Sequence, residues 1–551
     1  MSQKSRKTSA TPTKPKTPRT TTVKTTPTRT RSPRKFNWWW LLAGVVGIAA
    51  VVLAIVANNN VEDHTATKVA ESIAVDNSDL KVNWDRYQTT EINLTDSVKI
   101  TESGTYHLTG SLEGGSITID AGVSEVRLIL DNVSIANSTG PAIACYNAEN
   151  LVIELIGENT LTDGTEYSGY DSDVDGTIYS KADLAFTGSG TLNITGHYAD
   201  GIVGKDDVVI RGGTYHLDTT DDGIRGKDSV YITAGTFAIK SGGDAIKSTN
   251  DTDFGKGFVL VENGDFNIVA VGKGLKAAKS LLVYDGNYYL ETTDDAIHTN
   301  NYIGIVGGTF NIQSSDDGLH ADHELIIDGG TINIAKSYEG VEAQVISING
   351  GDIKVVATDD GINAGGGADN SSQNRAGANN FKADANCTLT INGGSTYVNS
   401  GGDGVDSNGY LTFNGGTVIV DGPTNNGNGS LDSGLGITIN GGSVIAVGAS
   451  GMAEPLGNNS GVSNISVFFD STQPTGTVIE VKNSAGNTVL SHTSAKTFSH
   501  MAAGSDQLIP GETYTIYLNG ANYRSFTISE VTTVIGNSNA NPNNMMQRRQ
   551  Q

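Results

Sequence analysis

Two stretches of the sequence, TTDDAIHTNN at residues 292–301 and SSDDGLHADH at residues 314–323, share one pattern. Each holds a pair of acids, a small residue, an aliphatic residue and a histidine, and the second follows the first after 22 residues. The pattern returns in TTDDGIRGKD at 219–228 and SGGDAIKSTN at 241–250, and in weaker form downstream. Self-similarity at a fixed period of a few tens of residues is typical of a repeat architecture, so the repeat unit decides the fold.

Glycine pairs open the units, mostly 21 or 22 residues apart, with longer steps of 29 and 43 residues that indicate loops inserted near 249–257 and 365–382. Apolar residues alternate after each pair, as in Tyr215 and Leu217 or Phe310 and Ile312. Period two predicts a strand with one buried face. A second aliphatic column, which includes Ile224, follows the acids, and a third apolar stretch closes the unit. Three short strands per unit predict an all-β fold, a right-handed parallel β-helix with coils from near Val98 to about Gly451.

The ends of the chain differ in composition from the repeats. Residues 1–36 hold 11 Lys or Arg and no acid, which predicts a disordered cytoplasmic tail that is solvated or touches anionic lipid. The apolar run 38–57 predicts a transmembrane helix over 37–57, with a cleaved signal peptide as the alternative. The positive-inside rule then places the rest outside the cytoplasm, at the cell surface. We expect a linker over 58–95, the β-helix over 96–460, a β-rich cap over 461–535 and a disordered tail over 536–551.

Beyond the basic tail, 25 Lys and Arg face 60 Asp and Glu, a net charge of −35 that argues against nucleic acid as a partner. The sequence has two cysteines, Cys145 and Cys387, separated by many repeats. Stacked coils would hold them far beyond disulfide reach, so no disulfide is expected.

Acids recur at one position of the unit and should form a line of carboxylates along the β-helix. Each carboxylate can cap its own turn, or neighbouring coils can hold a calcium ion between them. A second acidic stretch before Gly176 opens like an EF-hand loop, but Ala182 stands at its twelfth position and no helices are predicted around it. The candidate calcium ligands are Asp171, Asp173, Asp175, Asp200, Asp222, Asp244, Asp295, Asp317, Glu339 and Asp360.

A column next to the inward aliphatic residues should point outward and offer cationic and hydrogen-bonding side chains to a polysaccharide. A solvated rim of mixed charge is the alternative. Outward aromatic residues such as Tyr289 and Tyr397 would stack on sugar rings. The sequence shows no third ligand for a transition metal bound by the two histidines of the column. The candidate ligand-binding residues are Arg225, Lys247, Lys276, His298 and His320.

The stretch 175–248, with IYSK at 178–181, DGIVGKDDVVI at 200–210 and the repeated DDGI, resembles bacterial cell-surface carbohydrate-binding β-helix proteins. Their architecture is similar to polysaccharide lyases of the pectate lyase type, and the resemblance covers roughly 95–535. It implies calcium held by the coils, around the motifs of Asp200, Asp222 and Asp244, and binding to a plant or envelope polysaccharide.

The combined interpretation is a membrane-anchored, calcium-stabilised β-helix that binds an acidic or cellulosic polysaccharide without turnover. A polysaccharide lyase is the first alternative, with Arg225 and Lys247 as its catalytic candidates, because β-elimination needs a base and cations near a uronate. These two residues belong to a regular column, whereas a catalytic centre usually breaks the repeat. A structural adhesin or stalk is the second alternative.

Overall fold

The computed structural model describes residues 65–66, 73, 75, 77–365 and 383–536. The basic tail, the predicted membrane helix and the tail beyond 536 lie outside these residues. Within them, no helix is long and apolar enough to cross a membrane. The helices described are a single α-helical turn, Ser78–Lys81, and a 3₁₀ turn, Trp84–Arg86.

The chain forms an all-β solenoid of about 14 turns, which confirms the predicted β-helix; its right-handed sense stays a prediction. Parallel strands stack in three sheets, named here by their place in the repeat. The pre-glycine sheet contains Thr89–Leu94, Asn150–Ile156, Asp183–Gly188, Phe258–Val261, Ser280–Val283, Tyr302–Ile305, Thr388–Ile391, Tyr410–Phe413 and Gly436–Ile439. The post-glycine sheet contains Glu158–Thr162, Thr191–Gly196, Asp265–Ala270, Asn287–Thr292, Thr309–Ser314, Thr331–Ser337, Asp352–Ala357, Ser395–Ser400, Thr417–Asp421 and Ser443–Gly448.

The acid-turn sheet contains Val98–Ile100, Ile117–Asp120, Ile143–Asn147, Gly176–Ser180, Asp200–Gly204, Ile224–Gly226, Ile246–Ser248, Leu275–Ala277, Ile297–Thr299, Ile362–Ala364, Val405–Ser407 and Leu431–Ser433. Some strands run around a corner and belong to two sheets. Gly104–Glu113, Glu125–Ala136, Asp207–Thr219 and Ser229–Ser241 join the pre-glycine and post-glycine sheets, and Leu319–Ile327 and Val341–Ile348 join the acid-turn and pre-glycine sheets. Stacking begins at Thr89, before the predicted start near Val98.

The repeated glycines and apolar columns have clear structural causes. The second glycine of each pair turns the corner with positive φ, as at Gly330 (92°), where an added Cβ would lie 2.8 Å from the carbonyl oxygen of Gly308. The predicted apolar column is buried and stacks ring on ring: the centroids of Phe237, Phe266 and Tyr288 are each 4.7 Å from the next. Each unit buries its apolar residues against its neighbours, so the core is continuous along the solenoid.

Part of the segment predicted as a linker packs on the outer face of the pre-glycine sheet. Ala66, Ile73, Val75 and Trp84 contact apolar side chains that this sheet points outward. The carboxylate of Asp79 accepts two hydrogen bonds from the guanidinium of Arg211, at 3.0 and 2.9 Å. The outer face of the pre-glycine sheet is therefore covered over several coils.

A β-rich unit follows the last coil. Phe498–Ser505 pairs antiparallel with Ser443–Gly448, the last post-glycine strand, and also with Asn464–Gln473, which in turn pairs with Thr532–Ile535. A separate antiparallel sheet has the order Thr488–Thr493, Val478–Asn483, Thr513–Leu518, Ala521–Thr527. Phe498–Ser505 therefore occupies the edge that the last post-glycine strand would otherwise leave open to another chain.

Candidate functional site

The recurring acids hold the acid turns together through the backbone. In each case one carboxylate oxygen accepts a hydrogen bond from the amide of the equivalent residue one coil later. The Asp222 amide donates to Asp200 Oδ1 at 3.1 Å, the Asp244 amide to Asp222 Oδ1 at 2.9 Å, and the Asp317 amide to Asp295 Oδ1 at 3.1 Å. One oxygen of each of these acids therefore serves turn geometry.

The other oxygen of these acids faces a cationic side chain. Arg225 Nε donates to Asp200 Oδ2 at 2.6 Å, and Lys247 Nζ lies 2.5 Å from Asp222 Oδ2 and 3.4 Å from Asp244 Oδ2. Burial raises the pKa of Asp200 to about 7, against the influence of Arg225. The cations thus offset charge that would otherwise accumulate along a buried line of acids.

Lysine and histidine continue this pairing in the next coils. Lys276 Nζ lies 3.4 Å from Asp244 Oδ2, and Lys273 Nζ lies 2.5 Å from Asp295 Oδ2. His298 Nδ1 is 2.9 Å from the same Asp295 oxygen. Lys273 takes the place of an acid in the column, and its side chain forms an ion pair with the acid of the next coil.

His298 and His320 are not exposed, in contrast to the predicted outward row. Their exposed fractions are 5% and 1%, and His320 Nδ1 lies 3.2 Å from Asp317 Oδ2. Burial alone would lower the pKa of His320, but the surrounding carboxylates, first Asp317, raise it to about 11. The prediction of an outward column failed here because each imidazole folds back onto the acid three residues before it.

Toward the C-terminus, acids occupy the column of His298 and His320 as well as the neighbouring line of carboxylates. Asp360, Asp403 and Asp406 can each offer an oxygen within 4.8 Å of the others. Burial, followed by the neighbouring acids, raises the pKa of Asp403 to about 8. Asp403 and Asp406 were not among the predicted metal ligands. The change from Lys276 through Glu342 to Asp406 at equivalent positions was the signal that could have found them.

Two acids of the EF-hand-like stretch contact other side chains of the protein, while Asp171 is exposed. Asp173 accepts a hydrogen bond from the Tyr179 hydroxyl at 2.9 Å, and Asp175 accepts one from Arg225 at 2.5 Å. The strand Gly176–Ser180 follows directly, where an EF-hand would continue as a loop toward a helix. Arg225 therefore links this stretch to the line of carboxylates that begins at Asp200.

The outer face of the post-glycine sheet carries an open groove of about 410 Å³. Asn193, His216, Ala238 and Asn267 follow one another in register along it, and the small side chain of Ala238 leaves a depression between larger neighbours. His216 Nδ1 lies 2.8 Å from Asn193 Oδ1. Asp218 and Lys240, on the parallel row, pair at 3.3 Å and are both exposed.

The two aromatic residues predicted to meet sugar differ in their surroundings. Tyr289 is 41% exposed and stands one coil beyond Asn267 in the groove row. Tyr397 belongs to the same row but is only partly exposed, and its hydroxyl donates to the buried Asp421 at 2.9 Å. His492 of the C-terminal unit lies 2.9 Å from that carboxylate as well. Tyr397 therefore helps to attach the C-terminal unit, and Tyr289 remains available at the surface.

Residues 95–361 match the family described as "Carbohydrate-binding domain-containing protein". The resemblance to a carbohydrate-binding β-helix family is confirmed. A "Carbohydrate-binding domain-containing protein" of Acetivibrio thermocellus is 34% identical over 151 residues, which are 26% of this chain. The match spans about half of that relative, 52% of its length.

One solved structure is similar as well: the polysaccharide lyase-like protein from C. thermocellum, in a gadolinium derivative. It is 25% identical, with a TM-score of 0.33, and the match covers 42% of this chain and 96% of that one.

Proposed function

We propose that this protein binds polysaccharide along the outer face of the post-glycine sheet. The groove beside Ala238 is the observation that carries the proposal. Amide, imidazole and tyrosine side chains follow one another there in steps of one coil, and such groups hydrogen-bond to hydroxyls and stack on the apolar faces of sugars. The match of residues 95–361 to a carbohydrate-binding family supports the same class of ligand.

The other two faces suit this role less well. The N-terminal segment covers part of the pre-glycine face. On the acid-turn face, the cationic side chains already form ion pairs with carboxylates of the chain. A chain with a strong negative charge repels free polyanions at low salt. We therefore expect a neutral, cellulose-like chain to bind better than a uronate polymer, unless calcium bridges the acids.

Binding without turnover is part of the proposal. Among the candidates for lyase chemistry, Arg225 pairs with three acids of the chain and Lys247 with two. A cation already held in this way gives little additional stabilisation to a developing enolate. Incubation of the protein with polygalacturonate should yield no unsaturated uronate absorbance; sustained product formation that the Arg225→Lys variant loses would contradict the proposal.

Tyr289→Ala should weaken polysaccharide binding. Loss of one stacking ring costs about 1 kcal/mol, which corresponds to a roughly fivefold higher Kd. Affinity electrophoresis and pull-down on insoluble cellulose measure the effect. Tyr410→Ala is the matched control, since Tyr410 is 49% exposed but belongs to the pre-glycine sheet. Equal losses in both variants would place the binding surface elsewhere.

Calcium is proposed at Asp360, Asp403 and Asp406. Their donor set is all oxygen and strongly anionic, which suits a hard cation with flexible coordination. The predicted ligands from Asp200 to Asp295 fit calcium less well, because lysine and arginine already lie against their outer oxygens. A calcium ion at the downstream acids would offset charge that burial otherwise makes costly.

Removal of calcium should lower the melting temperature, and added calcium should restore it, because a ligand that binds only the folded state stabilises by mass action. The raised pKa of Asp403 gives the sign of the pH effect without calcium. In the folded state Asp403 stays protonated up to about pH 8, whereas in the unfolded chain it loses its proton near pH 4. The contribution of Asp403 to the free energy of unfolding therefore falls as the pH rises from about 4 to 8. Calcium should reduce that slope.

Asp406→Asn should abolish most of the calcium response, whereas Asp352→Asn, at an exposed strand position, should leave it intact. Differential scanning calorimetry with EGTA and calcium measures both variants. An equal calcium response in the two variants would contradict the proposal that calcium binds at these three acids.

The location is also a proposal. The apolar run 38–57 and the basic residues before it support a single-pass anchor with the β-helix outside the cytoplasm. Protease accessibility in intact cells, with detection of the N-terminal and C-terminal ends separately, tests that orientation.

A further inference from the structure

In the register column of the acid-turn sheet that contains His298 and His320, a lysine precedes the two histidines and a glutamate follows them. His298 and His320 are in register in adjacent coils, with ring centroids 5.0 Å apart. Lys276 precedes them in the column, and Glu342 follows them. The coils around His320 therefore combine a nitrogen ligand with carboxylates from the next coil.

Three possible metal ligands converge on the acidic side of His320. Asp317 Oδ2 lies 3.2 Å from His320 Nδ1, and Glu342 Oε2 lies 3.5 Å from the same nitrogen. One ligand atom from each residue lies within 4.8 Å of the other two. Asp317 and His320 are buried, and Glu342, with a side chain 20% exposed, reaches the surface and provides a path for an ion.

The opposite edge of the His320 ring supplies a second, independent observation. His320 Nε2 and Asp322 Oδ1 are both buried and lie 3.5 Å apart, an ion-pair distance that is too long for a good hydrogen bond. Metal-bound histidines commonly direct their second nitrogen at a carboxylate, which fixes the ring orientation. Asp322 is in place for that role once a metal ion has displaced the proton that Asp317 holds on Nδ1.

A neighbouring group of possible ligands is less suitable. Asp295, His298 and His320 also approach one another within 4.8 Å. The ammonium of Lys273, however, lies 2.5 Å from Asp295 Oδ2 and repels a second cation there. The Asp317 side of His320 instead faces Glu342, an acid.

We propose that Asp317, His320 and Glu342 form a binding site for a divalent transition-metal ion, with Zn²⁺ as the representative ion. One imidazole and two carboxylates are ligands that Zn²⁺ accepts at short distance, and three protein ligands leave a position for water or an exogenous ligand. Calcium prefers oxygen ligands alone, so this site differs in metal class from the acids at Asp403. Asp322 is a positioning residue for the His320 ring.

Titration of the metal-free, full-length protein with Zn²⁺, followed by calorimetry, tests the proposal, with Co²⁺ absorption as a spectroscopic probe. We expect one Zn²⁺ site per chain that persists in excess calcium. Glu342→Gln should raise the Kd for Zn²⁺ at least tenfold, and its partly exposed position favours retention of the fold. Asp322→Asn should raise the Kd about tenfold as well, as is usual for such partners.

His298→Gln is the matched control, since it removes the equivalent histidine one coil earlier and should change the Kd by less than threefold. Circular dichroism verifies that each variant remains folded. Failure of the folded protein to bind Zn²⁺, or loss of binding in His298→Gln with full binding in Glu342→Gln, would overturn the assignment.

Discussion

Ile297→Asp should unfold the middle of the solenoid. Ile297 is fully buried and stacks between Leu275 and Leu319 in the inward column of the acid-turn sheet. An unpaired carboxylate at this place costs on the order of 4 kcal/mol or more. The loss should appear in urea unfolding and as faster amide exchange in the strands Leu275–Ala277 and Leu319–Ile327.

Ile297→Val is the control for this experiment. It removes one methylene from the same position and should cost about 1 kcal/mol. A similar stability for the aspartate and valine variants would mean that the inward face of this sheet has been assigned incorrectly.

Arg225→Met should cost about 3–5 kcal/mol, because it leaves buried carboxylates without their cation. Asp200 is 1% exposed, and its outer oxygen lies 2.6 Å from the guanidinium; Asp175 loses the same partner. Addition of Asp200→Asn should restore much of the loss, since the uncompensated charge is then gone. A double-mutant cycle in urea gives the coupling directly.

Lys240→Met provides the comparison for the arginine variant. Lys240 and its partner Asp218 are 71% and 62% exposed, so this pair should contribute less than about 1 kcal/mol. Equal costs for the two substitutions would show that Arg225 is no more than a surface residue. The result also bears on catalysis, because a loss of fold in Arg225 variants has to be separated from a loss of turnover.

The core of the solenoid could be predicted because apolar residues recur at equivalent positions of successive units. Tyr215, Phe237 and Phe310 occur at equivalent positions, and period two assigns them to one strand face. Each of them is buried as expected. Contacts that occur once in the chain could not be found in this way. Asp79 and Arg211 are 132 residues apart, and the coils that the structure describes contain no equivalent pair.

The sequence predicted the site only as far as the line of acids. It placed Asp200, Asp222 and Asp244 in register, but it could not show which oxygen takes the next amide and which takes a cation. The orientation of His320 depends on side-chain rotation toward Asp317, which residue spacing does not determine. The groove likewise depends on Ala238, a residue without any binding chemistry of its own.

The antiparallel strand Phe498–Ser505 on the last coil has a consequence for how such a protein can change in length. It forms its ladder with a single strand, Ser443–Gly448, and with residues that follow that strand in the chain. Duplication of one 22-residue segment in the interior of the gene would therefore add a rung without altering either terminus. The solenoid can therefore lengthen in steps of one repeat, while the paired edge of its last post-glycine strand is kept from adding a strand of another copy.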